Sequence, residues 1–419
     1  MVRKSDKGRL NIGILHPDLG IGGAERLIVD VALALKASDH KVKLYTSRHD
    51  PNRCFTETAN GEIDVIVAGN WFPRHIFNRL MVVCAMVRNI LAALYMIFFS
   101  KEVFDVVVLD QISVSVPLFK LFTRSKVLFY CHHPDKLLTT RESLLKKVYR
   151  LPIDWFEEYT TSFSDQTLVN SIYTGNVFKQ SFPRIKKTPS VLYPCLDTVS
   201  FDNTTKSLSN VDHQQSPSIK NLTTILKDKK YILSINRYER KKNLMLALES
   251  FSVLETKISV EQFSNLHLVF AGGYDPGLRE NVEHLQELKK RAEELNLQDK
   301  VTFLCSIKDD EKNWLLNHCL CLVYTPAFEH FGITPLEGMY AAKPVIAVNN
   351  GGPLETVKDG ETGYLCEQNS IDFSEAYKKI VLDGKLCKSL GERAKQWVVS
   401  EFSFKSFTKK LNHIILNKL

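Results

Sequence analysis

Short apolar runs bounded by polar residues alternate with stretches in which apolar residues recur every three or four positions. The runs Leu10–Leu15, Val42–Tyr45, Ile63–Ala68, Phe104–Leu109 and Val127–Tyr130 read as buried parallel strands. Such strands are covered on both faces and need no polar alternation. Between the first two, Ala24 to Lys36 carries Leu27, Ile28, Val31 and Leu35 at helical spacing. The rhythm returns with strand runs at Tyr231–Ile235, Leu266–Ala271, Val301–Leu304, Cys319–Tyr324 and Pro344–Val348, and with helical segments at Leu244–Leu254 and Asn281–Leu295. Strand, helix, strand predicts βαβ units. Two such blocks predict an α/β chain of two Rossmann-like domains, 1–197 and 231–395. From about Thr198 to Lys230, Ser, Asn, Thr and Lys dominate and apolar periodicity fades, which predicts a linker at 198–230. Residues 396–419 are expected to form a C-terminal helix that packs back on the first domain.

Leu80 to Phe99 breaks the rhythm. It is apolar throughout except for Arg88 and Asn89, with Arg79 and Lys101 at its flanks. Its length is enough to span a bilayer, but Arg88 would be costly at the centre. A helix packed on the sheet satisfies the same pattern. Trp71, Phe72 and the basic flanks favour a helix that docks on a membrane surface.

Composition narrows the function classes. The 419 residues are 44% hydrophobic and 24% charged, an ordinary globular balance, and the net charge of +8 is modest. Such an excess suits anionic partners: nucleotide phosphates, a pyrophosphate-bearing substrate or an acidic membrane surface. No basic run with interleaved aromatics occurs, which argues against nucleic acid. The nine cysteines are scattered singly, and Cys319 and Cys321 form a C-x-C that suits neither zinc nor thioredoxin chemistry. Reduced thiols point to a cytosolic environment. The apolar run behind the basic N-terminus is too short for a signal peptide.

Four segments at strand ends carry the candidate chemistry. Gly22 and Gly23 sit between the first strand and the first helix, where free N–H groups and the helix dipole favour an anion. The third glycine of a dinucleotide fingerprint is replaced by Glu25, and no acid ends the second strand, so NAD is disfavoured. Arg237 and Lys242 follow the strand Tyr231–Ile235, where a guanidinium fork and an ammonium suit a diphosphate. Glu329 and Glu337 follow Cys319–Tyr324, eight positions apart, with Phe331-Gly332 breaking any continuous helix between them. A reasonable division has Glu329 facing a sugar and Glu337 accepting from ribose hydroxyls. His132, in Tyr130-Cys131-His132-His133, ends another strand and is expected to meet a sugar hydroxyl or developing positive charge. No acid or thiol partner at ligand spacing makes a metal site of the histidine pair.

Together, in this order, these elements resemble family 4 of the retaining glycosyltransferases, which have the GT-B fold. The Glu-x7-Glu element, the Arg-x4-Lys element and the Gly22-Gly23 loop match position by position. His16-Pro17-Asp18-Leu19-Gly20, Pro152-Ile153-Asp154-Trp155, the run from Ser234 to Leu244 and Tyr324-Thr325-Pro326 further resemble the mannosyltransferases of the dolichol-linked oligosaccharide pathway. The resemblance implies two domains facing across a cleft, GDP-mannose as donor and Man1GlcNAc2 on dolichyl pyrophosphate as acceptor. It implies an α-1,3 and an α-1,6 addition, in either order, on the cytosolic face of the endoplasmic reticulum membrane, beside other transferases of the pathway. Glu329, His132, Lys242 and Arg237 are then the expected catalytic groups. Gly22, Gly23, Arg237, Lys242, Glu337, Phe331 and Gly332 are the expected donor contacts, with neither a cofactor nor a metal required. Another nucleotide sugar or lipid acceptor, or a non-catalytic nucleotide-binding subunit, are the alternative readings.

Overall fold

The computed structural model describes residues 8–77, 80–138, 144–209 and 217–419. The chain forms two compact units, Met1–Cys195 with Phe404–Leu419, and Leu196–Ser403.

The first unit is built on a seven-stranded sheet of β1 (Asn11–His16), β2 (Lys41–Thr46), β3 (Val65–Val67), β4 (Val106–Asp110), β5 (Lys126–Cys131), β6 (Gln166–Val169) and β7 (Ser190–Val191). The order is β3-β2-β1-β4-β5-β6-β7, every pairing parallel. β1 and β4 are the central pair, and both are almost wholly buried. The helix Gly23–Ala37 packs Leu27, Ile28, Val31 and Leu35 into the core on one side of the sheet. The last helix, Phe404–Asn417, joins the same cluster through Phe407, Leu411, Ile414 and Ile415. Crossing into the first unit thus falls at Phe404, eight residues beyond the expected 396, because the helix before it, Gly384–Glu401, runs on within the second unit.

The apolar helix, Met81–Phe98, is long and apolar enough to cross a membrane. Its polar pair decides its role in the fold. Arg88 and Asn89 are buried, and the Arg88 guanidinium donates to the Ser47 carbonyl at 2.6 Å. Asn89 accepts from the Ser115 hydroxyl. Cys84, Ala92, Ala93 and Met96 share that buried face. A charge that would be costly in lipid therefore finds a carbonyl acceptor inside the protein, while Met81, Phe98 and Phe99 stay exposed at the helix ends.

The second unit repeats the plan with β8 (Lys230–Ile235), β9 (Leu266–Gly272), β10 (Val301–Cys305), β11 (Cys321–Tyr324), β12 (Val345–Val348) and β13 (Gly363–Cys366), ordered β10-β9-β8-β11-β12-β13 and parallel throughout. The stretch expected as a linker differs from that reading. It holds the helices Thr198–Ser209 and Pro217–Ile225, and both belong to this unit. Sparse apolar residues dock them: Ile219, Leu222 and Leu226, spaced for one helical face, are buried, and Phe201 meets Tyr340 edge to face at 5.3 Å. Three anchors in a polar background leave too weak a period to read by eye. Ser and Asp/Asn residues stop and start helices elsewhere: Asn369 and Asp383 accept from Asp372 and Leu386 N–H groups at 2.9 Å each.

Candidate active site

Open parallel sheets bind ligands beyond the carboxyl ends of strands where the strand order reverses. In the second unit that point lies between β8 and β11. The loop after β8 carries Arg237 and Lys242, and the loop after β11 carries Glu329, so the topology brings these separated motifs together. Lys242 Nζ lies 2.5 Å from Glu329 Oε2. The Thr325 hydroxyl donates to the Lys242 carbonyl at 2.8 Å, tying the two loops through the backbone as well. Asn243, in the left-handed region at φ 49°, then starts the helix Leu244–Glu255.

Glycine is required where the loops cross. Gly352 N–H donates to the Glu329 carbonyl at 2.7 Å. A Cβ on Gly352 would lie 2.2 Å from the Phe331 carbonyl oxygen, so no larger residue fits without moving backbone. Gly332 has φ +82°, and a Cβ there would press on the Tyr324 hydroxyl at 3.1 Å. That hydroxyl hydrogen-bonds Glu329. Burial, with the Glu329 charge beside it, pushes the Tyr324 phenol well above its ordinary range. Tyr324 therefore stays protonated and donates to Glu329. Burial likewise holds the neighbouring His330 below its usual range.

The remaining expected residues separate. Arg237 is 63% exposed and pairs with Glu239 at 3.0 Å rather than with Glu329. Lys241 meets the same carboxylate at 2.9 Å, so Glu239 holds two cations at the mouth of β8. Glu337, on the helix Ile333–Tyr340, pairs with Lys312 at 2.9 Å. The two glutamates of the Glu-x7-Glu element thus each have their own ammonium. Burial opposes the Lys312 charge, but Glu337 and Asp309 outweigh it and raise the Lys312 pKa. The Phe331 ring is buried and packs on Phe402 at 5.8 Å between centroids. Its aromatic ring belongs to the core.

In the first unit the strand order reverses between β1 and β4. Gly22, extended at φ −173°, precedes the helix Gly23–Ala37, and the Glu25 carboxylate folds against it. Gly23 faces open space. His132 follows β5, with its ring 4.8 Å from that of Tyr130. It reaches a residue that the sequence reading missed. His132 Nε2 lies 2.8 Å from Asp110 Oδ1, and His16 Nδ1 lies 2.7 Å from Asp110 Oδ2. Burial alone would raise the Asp110 pKa, but His132 and then His16 hold it down to about 2. Asp110 ends the run Val106-Val107-Val108-Leu109, and a charge at the carboxyl end of a buried strand was the available signal. Lys312 was missed too, since it lies in no motif, and Tyr324, although inside Tyr324-Thr325-Pro326, was assigned no role.

Comparisons with known proteins show the family and the fold. Residues 21–199 match the family described as Glycosyltransferase Family 4, and residues 216–397 match Glycosyl transferases group 1. The alpha-1,3/1,6-mannosyltransferase ALG2 of Dictyostelium discoideum is 61% identical, over 98% of this chain and 99% of that one. Its namesake in Mus musculus is 50% identical over 95% and 94% of the two chains, and that in Saccharomyces cerevisiae 37% over 98% and 86%. Among solved structures, Anabaena HepE in complex with UDP superposes with a TM-score of 0.71 at 17% identity, covering 98% of this chain and 100% of that one. Sucrose-phosphate synthase from Thermosynechococcus elongatus gives 0.69 at 18%, covering 97% and 98%. At such identities these structures speak to the fold, which is the two-domain GT-B type.

Proposed function

The chain belongs to the α-1,3/1,6-mannosyltransferase family of glycosyltransferases, and on that premise we propose that it moves mannose from GDP-mannose onto Man1GlcNAc2 carried by dolichyl pyrophosphate. One transfer forms an α-1,3 linkage and the other an α-1,6 linkage, giving the Man3GlcNAc2 precursor of N-glycans. The observation that carries the reading is the Lys242–Glu329 pair at the strand-order reversal of the second unit, 2.5 Å apart. A lysine for a leaving diphosphate and a carboxylate for a sugar that becomes positive stand side by side.

In this mechanism Arg237 and Lys242 bind the donor diphosphate. As the bond from the anomeric carbon to phosphate oxygen breaks, the electron pair leaves with GDP and negative charge builds on its terminal phosphate. The Lys242 ammonium, held by Glu329 until then, stabilises that charge. Glu329 supports positive charge on the mannose, and Tyr324 keeps it in place by donating to it. The acceptor hydroxyl oxygen bonds the anomeric carbon on the face the leaving group departs from, passing its proton to a leaving phosphate oxygen, so configuration is retained. Glu337 accepts from the ribose, while Gly332 and the main chain of Phe331 line the donor. In the first unit, Gly22 and Gly23 are assigned as donor contacts and His132 as a contact to a sugar hydroxyl. Protein cations neutralise the diphosphate without metal, so a chelator is expected to leave transfer unchanged.

The enzyme works on the cytosolic face of the endoplasmic reticulum membrane. Trp71, Phe77 and Phe99, each more than two-thirds exposed, support surface contact around the helix Met81–Phe98. If Phe98→Asp/Phe99→Asp pellets with anionic liposomes as fully as the unchanged protein, this contact is wrong. The activity itself is tested by mass spectrometry with GDP-mannose and a synthetic Man1GlcNAc2 pyrophosphate lipid, followed by linkage analysis. Two successive hexose additions, one α-1,3 and one α-1,6, are expected. Transfer from another nucleotide sugar but not from GDP-mannose would overturn the assignment.

A further inference from the structure

We infer that Asp110 is a positioning residue that holds the His132 imidazole in one tautomer, with Nε2 protonated toward Asp110 and Nδ1 left for the substrate. The inference rests on the proposed substrate contact of His132 and deepens it.

The topology places the three side chains. Leu15 and Leu109 are register partners on β1 and β4, and Asp110 and Tyr130 are partners on β4 and β5. The next residue on β1 is His16, and His132 lies just beyond β5. Asp110 is therefore the middle of a row across three adjacent strand ends, at the reversal of strand order. It is fully buried, as is His16, whereas the His132 side chain keeps 21% exposure. One member of the row thus faces outward, and the inner two support it.

An ionised carboxylate only accepts hydrogen bonds. His16 Nδ1 at 2.7 Å and His132 Nε2 at 2.8 Å each face one oxygen of Asp110. His16 Nδ1 hydrogen-bonds its oxygen, and His132 Nε2 sits at ion-pair distance from the other; a bare lone pair on either nitrogen would face the carboxylate's own, so both nitrogens carry hydrogen. The pressure on Asp110 from its two neighbours keeps it ionised across the working pH range. Neutral His132 accordingly presents a lone pair at Nδ1, which accepts from a sugar hydroxyl; protonated His132 donates there instead. The nitrogen that faces a carboxylate fixes which nitrogen does the work. The Tyr130 ring, with its centroid 4.8 Å from that of His132, limits rotation, and Tyr130 is anchored by donating to the Leu192 carbonyl at 2.9 Å.

Asp110→Asn breaks this arrangement with little change of shape. Its NH2 group donates, so one facing imidazole nitrogen must give up its hydrogen. For Asp110→Asn we expect kcat for mannose transfer to fall roughly tenfold or more, with KM for GDP-mannose unchanged. The double variant Asp110→Asn/His132→Ala should be no slower than His132→Ala alone. Multiplying losses would overturn the positioning role while leaving the His132 contact standing. A fully active His132→Ala would overturn both. If Asp110→Asn does not fold, 15N NMR of histidine-labelled unchanged protein decides, with His132→Asn used to assign the signal. Hydrogen on Nε2 of His132 is expected; a neutral ring with its hydrogen on Nδ1 would overturn the inference.

Discussion

The two units share a scaffold and differ in what they place at its one functional position. Both sheets run outward in both directions from a central pair, β1 and β4 in one, β8 and β11 in the other. At the first reversal stands a buried carboxylate between two imidazoles. At the second stands an ammonium against a carboxylate, with Arg237 and Lys241 gathered on Glu239 nearby. An imidazole oriented by a carboxylate suits hydroxyl groups, whereas clustered cations suit a diphosphate. Fold alone fixes where chemistry happens, and the side chains at the strand ends fix which chemistry it is.

The largest test of that division is Lys242→Ala. It should lower kcat by about a hundredfold, equivalent to about 3 kcal/mol of transition-state stabilisation, as read in a steady-state mannose-transfer assay. A rise in KM with kcat unchanged would mean that Lys242 only binds substrate.

A pair of glycine substitutions sharpens the contrast between the units. Gly352→Ala forces a Cβ to within 2.2 Å of the Phe331 carbonyl oxygen and should cost about 1–3 kcal/mol, seen as a lower Tm. Gly23→Ala meets nothing within 4 Å and should leave Tm unchanged or raised, weakening only donor binding. Equal destabilisation by both would show that the loop crossing in the second unit is not specially tight.

A smaller effect concerns Glu157 on the helix Leu144–Ser162. Burial raises its pKa to about 7 from an ordinary 4.5, although Asp135 N–H donates to it at 2.7 Å. A raised acid takes up its proton on folding, so its stabilising share is full below pH 4.5 and is lost as pH climbs through 7. Stability should fall by on the order of 1–3 kcal/mol over that window. Glu157→Gln should flatten the fall; denaturant titrations at pH 5 and pH 8 check it.

Much of this was legible in the sequence because buried parallel strands are continuous apolar runs, and ten of them stand out at nearly their observed positions. The strands Gln166–Val169, Ser190–Val191 and Gly363–Cys366 escape because each lies toward a sheet edge with two or fewer strongly apolar residues. The docked helices after Thr198 escape because three anchors support them. At the sites, motif spacing found Lys242 and Glu329 but carried no information on pairing. Lys312 with Glu337 and Asp110 with His132 are contacts between separate elements, made only once the strands are ordered, while Tyr324 meets Glu329 across the loop that follows its own strand. Phe331 shows the converse: a residue inside a motif whose ring is packed in the core.

The central claim is that the cations of the second unit hold the leaving diphosphate. Calorimetric titration of GDP into the unchanged protein, Lys242→Ala and His132→Ala tests it directly. The account predicts at least tenfold weaker GDP binding for Lys242→Ala, the loss of about 1.4 kcal/mol or more, and unchanged binding for His132→Ala. Undiminished GDP affinity in Lys242→Ala would contradict it.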